Sequence, residues 1–440
     1  MKILLFQTLD YLYCMGGAHK ANRILMEGLA EEGNDCKVIV PRYDCKEVYN
    51  DFLIQKGITP ETVTETEEAY LFCLNGVNIK ITKGKFYLYS VFFDEVSKYN
   101  PDIIIVSEDH TGLLLESAIE TSHHVIYISH TQDTLPFGPS FFGNNSKIFH
   151  MLERVDGIIA ISSYVKNYIL EWGNLESELI YFPSYGKGPY ELLGNYENEF
   201  ITIINPSGVK GIDIFIGIAD RFPNIAFAAV PTWATKEEDI IKLKKYKNIT
   251  ILSPENDVDI IYKKTKILLV PSLWGESFGQ VVVEAMLRGI PVIASKIGGL
   301  TEAIQGCDYT IPVNPIERYI MNDNNIGFPE PVIPEQNIDL WIDALTALLS
   351  DKERYDRLSL DVRKKAIEFV QRIGISQFIN YFQKIINKLT DTEADKKNNI
   401  KSVHELDKYE YLDKIPYNKM DEVVKIIKRN KIRKRTKSKV

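Results

Sequence analysis

Residues 271–302 read PSLWGESFGQVVVEAMLRGIPVIASKIGGLTE, and this stretch decides the fold class. The segment before and into it, KILLVPS at 266–272, is a continuous apolar run of the kind that forms a buried strand. From Ser277 or Phe278 the spacing of apolar residues predicts an amphipathic helix that ends near Gly289. The following PVIAS is then another strand. The sequence therefore predicts a βαβ unit with parallel strands.

Two acidic residues flank the junction between the first strand and the helix. Glu276 stands at the predicted mouth of the helix, where free backbone N–H groups and the positive end of the helix dipole favour an anion. Glu284 lies about 12 Å further along by helical rise. That separation resembles the distance between the hexose and the ribose of a nucleotide sugar. We take a sugar-nucleotide site as the working hypothesis.

The bulk composition is that of a soluble globular enzyme. The chain has 440 residues, enough for two domains plus appendages, with 45% hydrophobic and 25% charged residues. A net charge of -8 argues against nucleic acid as the main partner. The charge is uneven, because the final stretch at 425–440 contains many basic residues and no acid.

The cysteines and the first residues favour a cytoplasmic location. The five cysteines are scattered and form no CxxC or His-Cys cluster, so neither a disulfide framework nor a structural zinc site is expected. The initial MKILLFQTLD is too short an apolar run for a signal peptide, and no segment has the length of a membrane span.

Strands and helices alternate along the chain in two series, and the stretch at 70–82 should form a hairpin or strand pair around Asn75-Gly76. We expect an N-terminal Rossmann-like domain at 1–185, a linker at 186–199, and a second Rossmann-like domain at 200–371. A helix at 372–390 should cross back over both domains, and a flexible basic tail should occupy 391–440. The fold class is α/β, with the two domains facing each other across a cleft. Ligands of such sheets bind at the carboxyl ends of the strands.

The stretch GESFGQVVVEAMLRGIPVIASKIGGLTEAI resembles the donor-site signature of retaining GT-B glycosyltransferases of the GT4 type, with its E-x7-E motif. Shorter matches are Gly16-Gly17 before the first helix, His130 after the strand HVIYIS, and Lys210-Gly211 after the strand FITIIN. The resemblance implies metal-independent transfer of a hexosyl group from a nucleotide-diphosphate sugar, UDP-sugar favoured, to an acceptor. It implies no further cofactor. The segment HTQDTLPFGP is most similar to relatives that act in bacterial secondary metabolism.

The resemblance also implies a role for each matching residue. Glu276 would accept hydrogen bonds from hydroxyls of the donor sugar, Lys210 would contact the diphosphate, and His130 would lie beneath the reacting centre. Glu284 would accept from both ribose hydroxyls. The other implied donor contacts are the backbone N–H groups of Ser277, Phe278 and Gly279, the turn Gly16-Gly17, Asn205 and Ser253.

One position departs from the family pattern. Many relatives have an arginine five positions before the lysine, where this chain has Asn205. One cation is therefore missing from the diphosphate site. Arg288 or Lys296 could compensate for it.

Several alternatives stay open. The loss at Asn205 allows a catalytically silent protein that binds a nucleotide sugar or acts as a scaffold, and an epimerase on the GT-B fold is another candidate. No DxD motif supplies a metal, since the run at 322–324 is better interpreted as a turn. The basic tail could be a solubilising segment, a contact to anionic lipid or a contact to an acidic protein.

Overall fold

The computed structural model describes residues 1–8, 11–12, 16–42, 53–54, 57–107, 111–139, 145–255, 257–320 and 330–390. The basic tail at 391–440 and the predicted turn at 322–324 lie outside these residues. No helix within the described ranges is long and apolar enough to span a bilayer.

The first domain is built on one mainly parallel sheet with helices on both faces. Within the described residues its strand order is β3-β4-β5-β2-β1-β6-β7-β8-β9. The strands are β1 (Lys2–Gln7), β2 (Asp35–Pro41), β3 (Thr64–Glu65), β4 (Ala69–Leu74), β5 (Val77–Thr82), β6 (Ile103–Ser107), β7 (His124–Ser129), β8 (Gly157–Ala160) and β9 (Glu178–Leu179). The helices are α1 (Gly17–Glu31), α2 (Lys85–Tyr99), α3 (Leu113–Ile119), α4 (Ser146–Leu152) and α5 (Ser163–Gly173).

The antiparallel part of this sheet is formed by β3, β4 and β5, and β4 and β5 form a hairpin. Its turn, Asn75-Gly76, has positive φ at both residues, 49° and 80°. Asparagine and glycine tolerate that conformation, and such a turn matches the twist of the flanking strands. The predicted hairpin around this turn is confirmed.

The second domain repeats the parallel arrangement. Its main sheet has the order β12-β11-β10-β13-β14-β15 in the described part of the chain. The strands are β10 (Phe200–Ile204), β11 (Phe227–Val230), β12 (Ile249–Ile251), β13 (Thr265–Val270), β14 (Val292–Ser295) and β15 (Thr310–Ile311), with a separate antiparallel pair, β16 (Tyr319–Ile320) and β17 (Glu330–Pro331). The helices are α6 (Ile212–Arg221), α7 (Glu237–Leu243), α8 (Asp259–Tyr262), α9 (Gln280–Leu287), α10 (Leu300–Ala303), α11 (Asp339–Ser350) and α12 (Lys352–Val370).

In both sheets the strand order reverses next to the first strand of the domain. In the first sheet, β1 has β2 on one side and β6 on the other. In the second sheet, β10 likewise has β11 on one side and β13 on the other. Crevices at such switch points are where open parallel sheets bind ligands. The predicted α/β fold of two Rossmann-like domains is confirmed.

The last described helix, α13 (Ile375–Thr390), returns to the first domain. Phe378 and Phe382 are fully buried in the core formed by one face of the first sheet and by α1. A Cβ atom on Gly28 of α1 would come within 2.6 Å of the Ile375 side chain, so glycine lets the two helices approach closely. The C-terminal segment thus ties the second domain to the first.

The start of α9 differs from the prediction. The helix begins at Gln280, and its N-cap Gly279 has φ 105°, a left-handed conformation that favours glycine. Phe278 is buried against Tyr181 and Phe369, which fixes the preceding residues as a loop. Helical rise therefore does not give the separation of Glu276 and Glu284, because only the residues from Gln280 onward are helical.

Candidate functional site

Glu276 lies in the loop between β13 and α9, with 13% of its side chain exposed. Its Oε1 accepts hydrogen bonds from Lys210 Nζ and from Ser272 Oγ, each at 2.5 Å. Burial alone would raise the pKa of the carboxyl, but the lysine charge and the two hydrogen bonds outweigh it and lower the pKa. Glu276 is therefore a fixed carboxylate at neutral pH.

Lys210 reaches Glu276 from the neighbouring strand. It ends the 3-10 turn Gly208–Lys210 after β10, and β10 pairs in parallel with β13. The ammonium lies 4.9 Å from the centroid of the Trp274 ring, and 17% of the side chain is exposed. Because the carboxyl ends of parallel strands meet at one edge, the pair stands at the switch point of the second sheet.

Asn205 shapes a loop and contributes no charge. The residue has φ 62°, which asparagine tolerates better than most residues, and it is buried. Its Oδ1 accepts from the Ala234 backbone N–H at 3.1 Å and from Thr235 Oγ1 at 3.4 Å. The side chain holds the segment after β11 in place of carrying the cation found in many relatives.

The two cations considered as substitutes are placed differently. Arg288 Nε donates to Asp259 Oδ1, and its Nη1 donates to the Glu284 carbonyl at 3.0 Å. The guanidinium also lies over the Tyr262 ring, so this side chain stabilises the C-terminal end of α9. Lys296 follows β14 and is exposed. Arg288 is therefore not available as the missing cation.

Glu284 faces the first domain. Its Oε1 accepts from Lys20 Nζ on α1 at 3.1 Å, with 11% of the glutamate side chain exposed. A Cβ atom on Gly17 would lie 3.1 Å from Gln280 Oε1, so the first turns of α1 and α9 are in contact. Gly16 is the N-cap of α1, and a Cβ atom there would meet nothing within 4 Å. The Gly16-Gly17 turn and Glu284 thus stand on opposite walls of one cleft.

His130 follows β7 and is turned into the first domain, with 6% of the residue exposed. Its Nε2 lies 2.7 Å from Asn22 Oδ1, while Asn22 Nδ2 donates to Gln7 and Ser107. The amide oxygen must accept, so Nε2 carries the proton. Burial, with the neighbouring His19, lowers the pKa of His130 to about 3. The imidazole is neutral at physiological pH.

His19 is a further, partly buried imidazole on α1, and no sequence motif singled it out. Burial lowers its pKa to about 4. Its Nδ1 is buried and has no hydrogen-bond partner among the described residues. The first domain therefore carries two neutral imidazoles near the cleft, His19 on α1 and His130 after β7.

Gln132 links the loop after β7 to the loop that carries Glu276. Its Nε2 donates to the Gly275 carbonyl at 2.7 Å, and its Oε1 accepts from Ser277 Oγ at 3.1 Å. The Ser277 carbonyl accepts from Ser162 Oγ at the start of α5. Ser277 therefore contacts the first domain through both its side chain and its backbone, a role the sequence did not predict.

A second link between the domains centres on Glu302 of α10. Its carboxylate accepts from the Ser163 backbone N–H at 2.9 Å, from Ser163 Oγ at 2.7 Å and from Tyr181 OH. The N-terminus of α5 carries positive partial charge, which suits this carboxylate. These contacts hold the domains together on one side of the cleft.

Asp133 is the carboxylate of the first domain at this site. It lies in the 3-10 turn Gln132–Thr134 and accepts from Thr131 Oγ1 at 3.2 Å. Burial raises its pKa to about 6; the Thr131 hydrogen bond and the Lys210 charge lower it, and the Glu276 charge raises it. An acid titrating near neutrality in a cleft is a typical feature of functional sites.

The remaining predicted residues are not all at one place. Phe278 points into the hydrophobic core of the second domain, so only its backbone could meet a ligand. Ser253 is exposed and follows β12, the edge strand two positions from β10. No cluster of three or more metal-ligating side chains occurs among the described residues.

Two doubly wound domains that meet at the carboxyl ends of their sheets define the GT-B fold. HepE of Anabaena, crystallised with UDP and glucose, has a TM-score of 0.59 at 16% identity, covering 90% of this chain and 100% of HepE. TarM of S. aureus has a TM-score of 0.61 at 11% identity, covering 88% of this chain and 100% of TarM.

Sequence comparisons point to the same class. Residues 197–365 match the family "Glycosyl transferases group 1". An uncharacterized protein of the cps region of Klebsiella pneumoniae is 24% identical over 69% of this chain and 87% of its own. An uncharacterized glycosyltransferase of Methanocaldococcus jannaschii is 26% identical over 56% and 72%. The family match covers the second domain, and the GT-B fold match covers most of the chain.

Proposed function

We propose that the protein is a retaining glycosyltransferase that moves a hexosyl group from a UDP-sugar to an acceptor. The observation that carries the proposal is the Lys210–Glu276 pair at the switch point of the second sheet, opposite the Gly16-Gly17 turn. A paired cation and carboxylate supply what a sugar diphosphate needs, a contact for phosphate and an acceptor for hydroxyls. HepE and TarM, which share the fold, were crystallised with UDP.

The donor would span the two glutamates. Glu284 accepts from the ribose hydroxyls, and Glu276 accepts from hydroxyls of the transferred sugar. Lys210 Nζ turns toward the diphosphate and stabilises the negative charge that develops as the leaving group departs. Backbone N–H groups at the start of α9 and at Gly16 add further donors, so the proposal needs no divalent cation.

Transfer with retention follows from the resemblance of the donor signature, and the site is compatible with it. Lys210 and Ser272 hold Glu276, which suits this carboxylate to binding and not to nucleophilic attack. In the proposed step the acceptor hydroxyl oxygen bonds to the anomeric carbon on the face that the leaving group vacates. The bond to the phosphate oxygen breaks, and that oxygen takes the hydroxyl proton. His130, being neutral and bound to Asn22, positions the first-domain wall and does not exchange the proton.

The acceptor would enter from the first domain. Asp133 and Gln132 lie on the loop that faces the Glu276 loop. Partly ionised near neutrality, Asp133 suits a hydrogen bond to an acceptor hydroxyl. The donor should therefore bind before the acceptor, because the contacts between the domains through Gln132 close over the donor.

A transfer assay tests the proposal directly. Wild type is incubated with a panel of UDP-, GDP-, TDP- and ADP-sugars and acceptors, and the anomeric configuration of the product is read by NMR. The Glu276→Ala variant should lose transfer by about a thousandfold, within the range known for single transition-state contacts. Glu353→Ala is the matched control, because Glu353 is exposed on α12.

Other outcomes would favour the alternatives suggested by the neutral Asn205, which stands where many relatives have an arginine. Binding of a nucleotide sugar without transfer to any acceptor would identify a silent binding protein or scaffold. A changed sugar nucleotide as the product would identify an epimerase. Transfer with inversion would refute the retaining mechanism and leave the glycosyltransferase assignment standing.

A further inference from the structure

The donor site has a shortage of positive charge within the second domain. Lys210 is the cation at the switch point, and Glu276 already engages it. Asn205 is neutral, and Arg288 is bound to Asp259. A nucleoside diphosphate brings more negative charge than one lysine balances, and the charge grows during transfer. Besides the exposed Lys296, the first domain offers a second cation.

Lys20 is a cation that crosses the cleft to this site. It belongs to α1 of the first domain, yet its Nζ lies 3.1 Å from Glu284 Oε1 on α9 of the second. Of its side chain, 39% is exposed, so the ammonium borders open space while it makes the contact. Lysine carries a point charge on a flexible four-carbon stem, and the ammonium can swing while the backbone stays in place.

The position of Glu284 determines which group of the donor Lys20 would contact. If Glu284 binds the ribose hydroxyls, the ribose arrives next to the Lys20 ammonium, because both contact the same carboxylate. The diphosphate is attached to the 5′ carbon of that same ribose. A ribose hydroxyl and the ammonium then compete for Glu284, and the nearest new anion for Lys20 is the diphosphate.

We propose that Lys20 is a diphosphate ligand delivered from the first domain, supplying the cation that Asn205 lacks. The proposal rests on the proposed function and deepens it. Donor binding exchanges the Lys20–Glu284 contact for a Lys20–phosphate contact and a Glu284–ribose contact. Because the ligand residue belongs to the opposite domain, full stabilisation of the leaving group requires the closed cleft. Transfer in the open form is thereby suppressed.

Nucleotide affinity tests the proposal independently of transfer. The affinities of wild type and Lys20→Met are measured by calorimetry for UDP and for uridine, with the GDP, TDP and ADP pairs covering other bases. The expected result is a ten- to hundredfold weaker affinity for the diphosphate, as for a lost charge-assisted hydrogen bond. The nucleoside affinity should change less than threefold. Lys20→Arg should restore the diphosphate affinity to within about fivefold, because it keeps the charge.

Lys187→Met is the matched control. Lys187 also pairs with a residue of α1, Glu31, but at the far end of the helix, where both side chains are largely exposed. It should leave both affinities unchanged. Equal loss of nucleoside and diphosphate affinity in Lys20→Met, or no loss, would refute the proposed role of Lys20 and leave the proposed function standing. Failure of wild type to bind any of the nucleotides would overturn the proposed function as well.

Discussion

Replacing Glu276 by glutamine separates the charge of this residue from its shape. The variant keeps the length of the side chain and one acceptor oxygen, but it removes the negative charge that Lys210 Nζ contacts at 2.5 Å. Lys210 then remains as a cation with little exposure and without its hydrogen-bonded carboxylate partner. The expected consequence is a loss of stability in the second domain, in addition to the loss of transfer.

The magnitude follows from the burial of the pair. A hydrogen bond to a charged group contributes about 1.5 to 3 kcal/mol. Breaking a buried pair by removing one partner costs about 3 to 5 kcal/mol, and the exposure of Lys210 at 17% places this pair at the lower end. We expect a loss of about 3 kcal/mol. For a domain of this size that corresponds to a melting temperature lower by about 6 to 12 °C.

The stabilisation by the Glu276 carboxylate depends on pH in a direction that its pKa shift determines. The folded-state pKa of Glu276 is below its ordinary value of 4.5, so the stabilisation is fully present above that value and is lost as the pH falls through the folded-state pKa. The gap in melting temperature between wild type and Glu276→Gln, measured by calorimetry, should be largest near neutral pH and should shrink on acidification. A gap that is absent at neutral pH, or that grows on acidification, would refute the reasoning.

A double-mutant cycle tests whether Lys210 is the residue through which the Glu276 charge stabilises the protein. In Lys210→Met the carboxylate is left unpaired, and in the double variant both charges are gone. The double variant should therefore be more stable than the sum of the single losses predicts, by about 1 to 3 kcal/mol. The exposed pair Lys352–Asp356 on α12 is the control, with a coupling of at most about 0.5 kcal/mol.

Three further substitutions test other parts of the site. Asn205→Arg should lower the free energy of unfolding by about 2 to 4 kcal/mol in denaturant titrations and should not raise turnover, because φ is 62° and the amide contacts are lost. Asp133→Asn should stabilise the protein at pH 7.5 by up to about 3 kcal/mol and leave it unchanged at pH 3.5. The reason is that the pKa of 3.8 rises to about 6 on folding, so wild type loses stability between these values; equal effects at both pH values would contradict it. Glu302→Gln should weaken the contacts to Ser163 and Tyr181 and increase the radius of gyration in X-ray scattering without a change in circular dichroism.

The strands of both sheets were predictable because their signal is local. Runs such as KILLFQ and FITIIN are apolar on both faces, as strands buried between two helical layers must be, and they became β1 and β10. The hairpin turn Asn75-Gly76 was equally clear, since positive φ at both residues has a direct chemical signature.

The start of α9 was not predictable from its own residues. Gly279 allows a left-handed conformation but does not require it. The loop before the helix is fixed by Phe278 against Phe369, a residue of α12 that is distant in the sequence. A helix beginning at Ser277 would satisfy the local pattern equally well. Tertiary packing therefore decided between two locally acceptable starts.

The partners across the cleft had no sequence signal at all. Lys20 and Glu284 are 264 positions apart, and Gln132 and Ser277 are 145 apart. Each of these residues is ordinary at its own position. The family resemblance selected Glu276, Glu284 and Lys210 as site residues, but it was silent about which first-domain side chains they contact.

The contrast between the two glutamates bears on the order of events in donor binding. Glu276 is held by Lys210 and Ser272 in a buried setting, whereas Glu284 is held by a lysine that is 39% exposed. The two carboxylates are about equally buried, but the Lys20 ammonium borders solvent, so the Lys20–Glu284 pair exchanges more readily than the Lys210–Glu276 pair. The nucleoside end of the donor should therefore engage Glu284 first, where the competing contact is weak. The sugar end engages Glu276 only after the diphosphate has drawn Lys210 away, so the strong pair is opened by the anion that replaces it.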